Sequence, residues 1–198
     1  MKIYLIRHGQ STSDIENRYG GSYDDDLTDV GRQQAAACAN ELSQCGIEKL
    51  YSSPFKRARQ TAEIIGEKLG QDIINVPDMR ERDNYGVLTG MRKDEARERY
   101  AAQVENLESR SPNHSVQGSE DYKSFVKRIT DVFMALLRTP DQTIAVVTHG
   151  GPIEAIAREI LKIGEFKELS DCAIIGVQKR EGYCELDGLT RAELARKG

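Results

Sequence analysis

The sequence predicts a three-layer α/β/α sandwich built on a mostly parallel central sheet, with a small helical cap insertion. Three observations carry that expectation. Short, continuous apolar runs of the kind found in strands buried on both faces alternate with stretches of helical periodicity. Two of those runs, at residues 2–6 and 143–147, lead into His-Gly pairs. A polar helical stretch lies between them and offers few core positions.

The elements follow in order. Residues 2–6 form the first strand. "LTDVGRQQAAACANELSQCG" (27–46) reads as a helix, N-capped by Thr28 and stopped by Gly46. "KLYSS" (49–53) is a second strand. Pro54 opens the next helix at its first turn, and "KRARQTAEIIGEKLG" carries it to Gly70. "DIINV" is the third strand. "MRKDEARERYAAQVENL" (91–107) is polar and helical, so it is expected outside the main core. Residues 109–118 form a Ser/Pro/Asn/Gly loop. Tyr122, Phe125, Val126, Ile129, Val132, Phe133, Leu136 and Leu137 then recur at helical spacing and predict a long amphipathic helix. "TIAVVTHGG" repeats the opening design, with "PIEAIAREIL" as its helix. "CAIIGVQK" and "YCELD" make a hairpin across Arg180-Glu181-Gly182, and "TRAELARK" is expected as a short terminal helix. A single domain over 1–198 with a cap segment at about 84–118 accounts for this order.

Composition narrows the function. With 28 Lys and Arg against 32 Asp and Glu, the net charge is −4, which speaks against nucleic acid or an acidic membrane surface as the main partner. No apolar run has the length of a bilayer span. The opening apolar run is too short for a signal peptide and lacks a small-residue cleavage site. Cys38, Cys45, Cys172 and Cys184 show no Cys-x-x-Cys pairing, so reduced thiols in a cytoplasm are expected rather than a disulfide framework or zinc site.

The chemistry concentrates at the strand ends. In open α/β sheets, ligands bind beyond the carboxyl ends of the strands. His8 and His149 both sit there, each followed by a glycine that allows close backbone approach. Arg7 precedes His8, and Arg57 falls in the first turn of the helix after the second strand. Arginines, a second histidine and helix N-termini together suit a phosphate dianion. Taken singly, each residue also fits a plain role, as a satisfied core histidine or an ion-pair partner. The repeated strand-His-Gly context is what makes chance a poor explanation. Spacing alone leaves the proton donor open among Glu81, Asp78 and Asp83. His114 reads as a solvated loop residue.

"LIRHGQS", "YSSPFKRARQTA", "RERDNYGVLTG" and "VVTHGG", in that order over residues 2 to about 160, resemble the histidine phosphatase superfamily, which includes the cofactor-dependent phosphoglycerate mutases. The resemblance implies that His8 forms a phosphohistidine, that Arg7, Arg57 and His149 clamp the phosphoryl oxygens, and that Glu81 gives and takes the proton. It also implies substrate contacts at Ser11, Asp14, Gly20, Gly21, Lys93 and Gly150. No metal and no cofactor are implied, except 2,3-bisphosphoglycerate if the chain is a mutase. The expected partners are a small phosphorylated substrate and a second copy of the chain, as a homodimer.

Within the family, "ENRYGGSYDDDL" and "GVLTGMRK" resemble the mutase substrate loop and its lysine, Lys93. Three departures oppose a mutase. Asp14 stands where mutases have an asparagine, the inserted segment has Arg110 alone instead of an arginine pair, and "THGGPIEA" lacks the asparagine that follows the glycine in mutases. The outer site would then set Lys93, Arg92 and Arg110 against Asp14 and the run Asp24-Asp25-Asp26. These features favour a phosphomonoesterase, with 2,3-bisphosphoglycerate-dependent mutase action as the alternative and a non-catalytic phosphate-binding module a distant third.

Overall fold

A computed structural model describes residues 1–109 and 115–195. Its sheet has six strands: β1 (Lys2–Arg7), β2 (Lys49–Ser52), β3 (Ile73–Asn75), β4 (Thr143–Thr148), β5 (Phe166–Lys179) and β6 (Cys184–Leu194), in the spatial order β3-β2-β4-β1-β5-β6. The first four are parallel. β5 runs antiparallel to β1, and β6 antiparallel to β5. The helices are α1 (Thr12–Ile15), α2 (Asp29–Leu42), α3 (Lys56–Leu69), α4 (Lys93–Arg99), α5 (Ala101–Glu108), α6 (Tyr122–Leu136) and α7 (Gly150–Ala155), the last continuing as a π turn over Ile156–Ile160. None of the described helices is long and apolar enough to cross a membrane.

Each face of the sheet carries its own core. Ile6, Leu50, Ala145 and Val147 meet the small and aliphatic residues of α2 and α3, among them Ala35, Cys38, Ala62 and Ile65. On the other face Ile3, Leu5, Ile144 and Val146 meet Phe125, Ile129 and Phe133 of α6 and Ile153 of α7. β1 and β4 are therefore apolar on both sides, as their unbroken hydrophobic runs require. The three-layer α/β/α class is the one expected.

A third, smaller cluster joins Tyr19 to Leu88, Ala96, Val104 and Val116 beside the sheet's carboxyl edge. Backbone bonds tie the 17–20 loop to this cluster: Tyr19 N to Met91 O at 3.0 Å, Gly90 N to Tyr19 O at 2.8 Å and Lys93 N to Asn17 O at 3.0 Å.

Several boundaries differ from expectation. Residues 190–194 are not helical but complete β6: Ala192 packs on the core, while Glu193 faces out to Lys167 at 3.0 Å. Pairing with β5 overrides the local helix propensity. The polar helix at 91–107 is broken at Tyr100, whose φ of −136° and ψ of 42° leave the helical region. α2 ends at Leu42, four residues before Gly46, which adopts a left-handed φ of +65° in the following turn. α3 starts at Lys56 with Phe55 as its N-cap, so Pro54 lies just outside it, while Gly70 does close it at φ +67°. Thr28 caps α2 as expected, accepting from Gly31 N at 3.0 Å. His114 and Arg110 lie outside the described residues.

Candidate active site

β1 and β4 are neighbours in register, Arg7 opposite Thr148. His8 N donates to Thr148 O at 3.0 Å, so His8 and His149 leave the sheet side by side and their rings sit 5.0 Å apart, edge to face. The turn after His8 packs tightly on the start of α2. A Cβ at Gly9 would lie 2.5 Å from Gly31 O, which only glycine avoids.

The protonation of His8 follows from its partners. Its Nδ1 lies 2.7 Å from Gly9 O. A carbonyl only accepts, so Nδ1 carries the proton and Nε2 keeps its lone pair. Arg57 Nε donates to that lone pair at 3.1 Å. Burial, followed by the charges of Arg57 and Arg7, holds the His8 pKa well below 6.5, so the ring stays neutral and nucleophilic at neutral pH. His149 is held neutral by burial first and by Arg57 next. Its Nε2 lies 2.7 Å from Ser53 Oγ, while its Nδ1 is buried with no hydrogen-bond partner.

Arg57 is locked in place. Its Nη1 donates to Asp25 Oδ1 at 2.7 Å and Tyr23 O at 2.6 Å, and its Nη2 to Gly21 O at 2.8 Å. Asp25 is buried and also accepts from Ser13 N at 2.8 Å. Sequence reasoning missed this role and assigned the whole acidic run to the outer site. The structure corrects that: Asp24 accepts from Lys56 N at 2.7 Å and Asp26 from Gln60 Nε2 at 2.7 Å, so the run clasps the start of α3. Arg7 reaches the other way, to Leu169 O and to Asp171 at 3.4 Å, both on β5.

Glu81 comes from the loop after β3. Its Oε1 accepts from Arg82 N at 2.8 Å and its Oε2 from Gly151 N at 3.1 Å. Burial of the carboxyl raises its pKa above 4.5, against the lowering effect of those two N–H groups. A carboxyl held towards the protonated form is suited to donating a proton. The loop is pinned from α6 by Arg128, which donates to Asp78 O, Arg80 O and Glu81 O and pairs with Glu120 at 2.7 Å. Gly151 is the second residue missed. A Cβ there would lie 2.2 Å from Glu81 Oε1, so the approach of Glu81 requires glycine. The signal was in "THGGPIEA", read only as a departure from a mutase pattern.

Arg7, His8, Arg57 and Glu81 line a pocket of about 310 Å³, joined further out by Ser11, Asp14, Gly20, Gly21 and Lys93, while His149 is fully buried and does not line it. Most expected substrate positions are therefore brought together. Gly150 does not line the pocket; it faces Leu169. Arg92 does not line it either, being turned to Asp94 at 3.1 Å, and Arg18 lies in the wall instead. Ser11 and Asp14 are bonded to each other, Oγ to Oδ2 at 3.0 Å, in a capping box on α1. Lys93 Nζ lies 5.9 Å from the centre of the Tyr19 ring. Among the described residues no group of three or more His, Cys, Asp or Glu is placed to hold a metal ion.

The chain is similar to known proteins in sequence and in fold. The 2,3-bisphosphoglycerate-dependent phosphoglycerate mutase of Bartonella henselae is 32% identical over 164 residues, covering 78% of this chain and 78% of that protein. The protein of the same name from Allorhizobium ampelinum is 31% identical, covering 88% and 86%. Among solved structures, the α-ribazole phosphatase of Shigella flexneri superposes with a TM-score of 0.84 at 20% identity, covering the whole of both chains. A mycobacterial glucosyl-3-phosphoglycerate phosphatase gives a TM-score of 0.77 at 22% identity, covering 94% and 97%. The family model for the histidine phosphatase superfamily (branch 1) matches residues 3–190, and the chain belongs to that superfamily.

Proposed function

We propose that this chain is a phosphomonoesterase that hydrolyses small phosphorylated metabolites through a phosphohistidine at His8. In the first half-reaction His8 Nε2 attacks phosphorus, the N–P bond forms and the ester P–O bond breaks. Glu81 protonates the departing oxygen. In the second, Glu81 takes a proton from water, the water oxygen bonds phosphorus, and the N–P bond breaks. Phosphoryl transfer rests on positioning and charge neutralisation, which Arg7 and Arg57 supply. Arg57 Nε must leave the His8 lone pair before attack, and the phosphoryl oxygens then receive it. His149 Nδ1, buried and unpartnered, is assigned a phosphoryl oxygen as its partner. The described parts of the cap segment, residues 84–109 and 115–118, serve as the cap.

One observation carries phosphatase over mutase. At the outer end of the pocket, Lys93 is the only lining cation among the described residues without a carboxylate partner; Arg18 is paired with Glu16, and Asp14 adds a negative charge. A mutase must retain a second phosphate there while the bisphosphate turns over, and this wall offers too little charge to do so. The alternative is favoured by the sequence relatives, which are named as mutases.

The test is a panel of small phosphomonoesters assayed for free phosphate, beside 3-phosphoglycerate isomerisation with and without 2,3-bisphosphoglycerate. The expected result is phosphate release faster than isomerisation and not raised by the bisphosphate. Rapid isomerisation that requires the bisphosphate and releases almost no phosphate establishes the mutase.

A further inference from the structure

Glu81 does not close the pocket; it divides two. A second cleft of about 240 Å³ lies beyond it, and Glu81, Tyr85 and Gly21 line both. The proton donor must lie within hydrogen-bond reach of the ester's leaving oxygen, so with phosphorus beside His8 that oxygen sits at the junction of the two cavities. Whatever the oxygen carries has two ways to go. One is the outer end of the first pocket, with its charged Arg18, Lys93 and Asp14. The other is the second cleft, which has a different character.

The second cleft combines ring surface with both kinds of hydrogen-bonding group. Tyr122 and Phe125 at the start of α6 supply aromatic surface, and two guanidinium groups approach the Tyr122 ring, Arg82 at 5.3 Å and Arg158 at 5.5 Å from its centre. Arg82 spends its Nε and Nη2 on Glu120 O and has no carboxylate partner among the described residues. Arg158 Nε is buried and makes no hydrogen bond, its neighbour on Glu159 being 3.6 Å away. Glu154 and Asn84 also line the cleft, and no hydrogen bond within the described residues engages either side chain. Two cations are offset by Glu154, Glu159 and the nearby Glu165, which pairs with Arg158 at 3.2 Å. The cleft therefore lacks the excess charge a second phosphate would need. Flat apolar surface with unspent donors and acceptors suits an uncharged ring that carries several hydroxyl groups.

Building on the phosphatase reading above, we infer that this cleft is a second subsite that receives the alcohol part of the substrate, and that the substrate class is a phosphate ester of a sugar-like, hydroxyl-bearing ring. Glu154 and Asn84 bind the ring hydroxyls, the free guanidinium hydrogens bind its oxygens, and Tyr122 covers its apolar face.

The experiment compares ribose 5-phosphate and glucose 6-phosphate with glycerol 3-phosphate and 4-nitrophenyl phosphate, on the full chain and on Glu154→Gln and Tyr122→Ala. The readout is the ratio of kcat/KM between ring and glycerol esters. It should fall about tenfold or more in each variant, because Glu154→Gln loses a charge-assisted hydrogen bond to a ring hydroxyl and Tyr122→Ala loses the covering aromatic surface. Glu154 is exposed, so Glu154→Gln keeps the fold and secures the test if Tyr122→Ala does not fold. A ratio within about twofold of wild type in Glu154→Gln overturns the subsite, while phosphate release from the aryl ester leaves the phosphatase reading standing. If no ester releases phosphate, that reading fails, and the subsite is decided by calorimetry of ribose 5-phosphate on His8→Ala. Binding weakened about tenfold by adding Glu154→Gln upholds the subsite, and unchanged or absent binding overturns it.

Discussion

Replacing Gly151 by alanine tests the proton-donor role proposed for Glu81. The new Cβ would lie 2.2 Å from Glu81 Oε1 and 3.1 Å from its Cδ. Ordinary contact is about 3.5 Å, so the carboxyl must retreat by roughly 1 Å. A shift of that size in a catalytic group costs on the order of a hundredfold in rate, or about 2.7 kcal/mol of barrier. The backbone at 151 is helical and has no positive φ, so alanine suits it. Helix propensity favours alanine over glycine by up to about 1 kcal/mol. The variant should melt no more than slightly below wild type while losing activity. The assay is kcat/KM, which reports the step that expels the leaving group and is blind to later dephosphorylation. Alkyl phosphates, whose alkoxides need a proton, should lose about a hundredfold; 4-nitrophenyl phosphate, whose phenolate leaves readily, should lose far less. Wild-type kcat/KM on the alkyl ester, or equal losses on both esters in a folded variant, would refute the placement of Glu81 as the acid.

Other consequences are as direct. Asp25→Asn leaves the buried Arg57 charge without its partner, an expected loss of about 3–5 kcal/mol and a fall in Tm of roughly 10 °C; a fall under about 2 °C would contradict the pairing. His8→Ala should abolish an acid-labile, alkali-stable phosphoenzyme, and its persistence in the variant would move the nucleophile elsewhere. The pH dependence of kcat/KM on alkyl esters should fall on the alkaline side as Glu81 ionises above its raised pKa, and hold on the acid side to well below pH 6.5, because His8 resists protonation. Glu81→Gln should remove the alkaline fall; an unchanged profile in that variant assigns the limb to another group. In the proposed mechanism arginines supply the charge neutralisation, so activity should survive EDTA, and loss that zinc or magnesium restores would show a metal-dependent route.

The parts of this fold that declared themselves in sequence were those governed by local rules. Ile3–Ile6 and Ile144–Val147 needed no partner to be read as buried strands, and Thr28 and Gly70 announced their helix ends. Arg7, His8, Arg57 and His149 were legible because each sits at a fixed offset from a strand or helix end. Asp25 was not, since nothing in an acidic run says which carboxylate turns inward to meet an arginine 32 residues on. Gly151 was hidden for a related reason: its constraint is set by Glu81, 70 residues earlier. Thr190–Leu194 misled because helix-forming residues masked an alternation, with Ala192 towards the core and Glu193 away, that only the neighbouring β5 makes decisive.

The sheet order has a consequence for how the molecule is made. β1 leaves the ribosome before the other five strands of its sheet, yet it ends in the middle of that sheet, flanked by β4 and β5. Its register partners are residues 143–148 on one side and 174–178 on the other. Through most of synthesis, then, an apolar strand with both hydrogen-bonding edges open has no native neighbour. Such edges recruit wrong partners, and pairings this distant in sequence close slowly. His8 and His149 come together only once β4 has been made, so a product stalled or truncated before it carries His8 without a pocket and a sticky strand without a sheet.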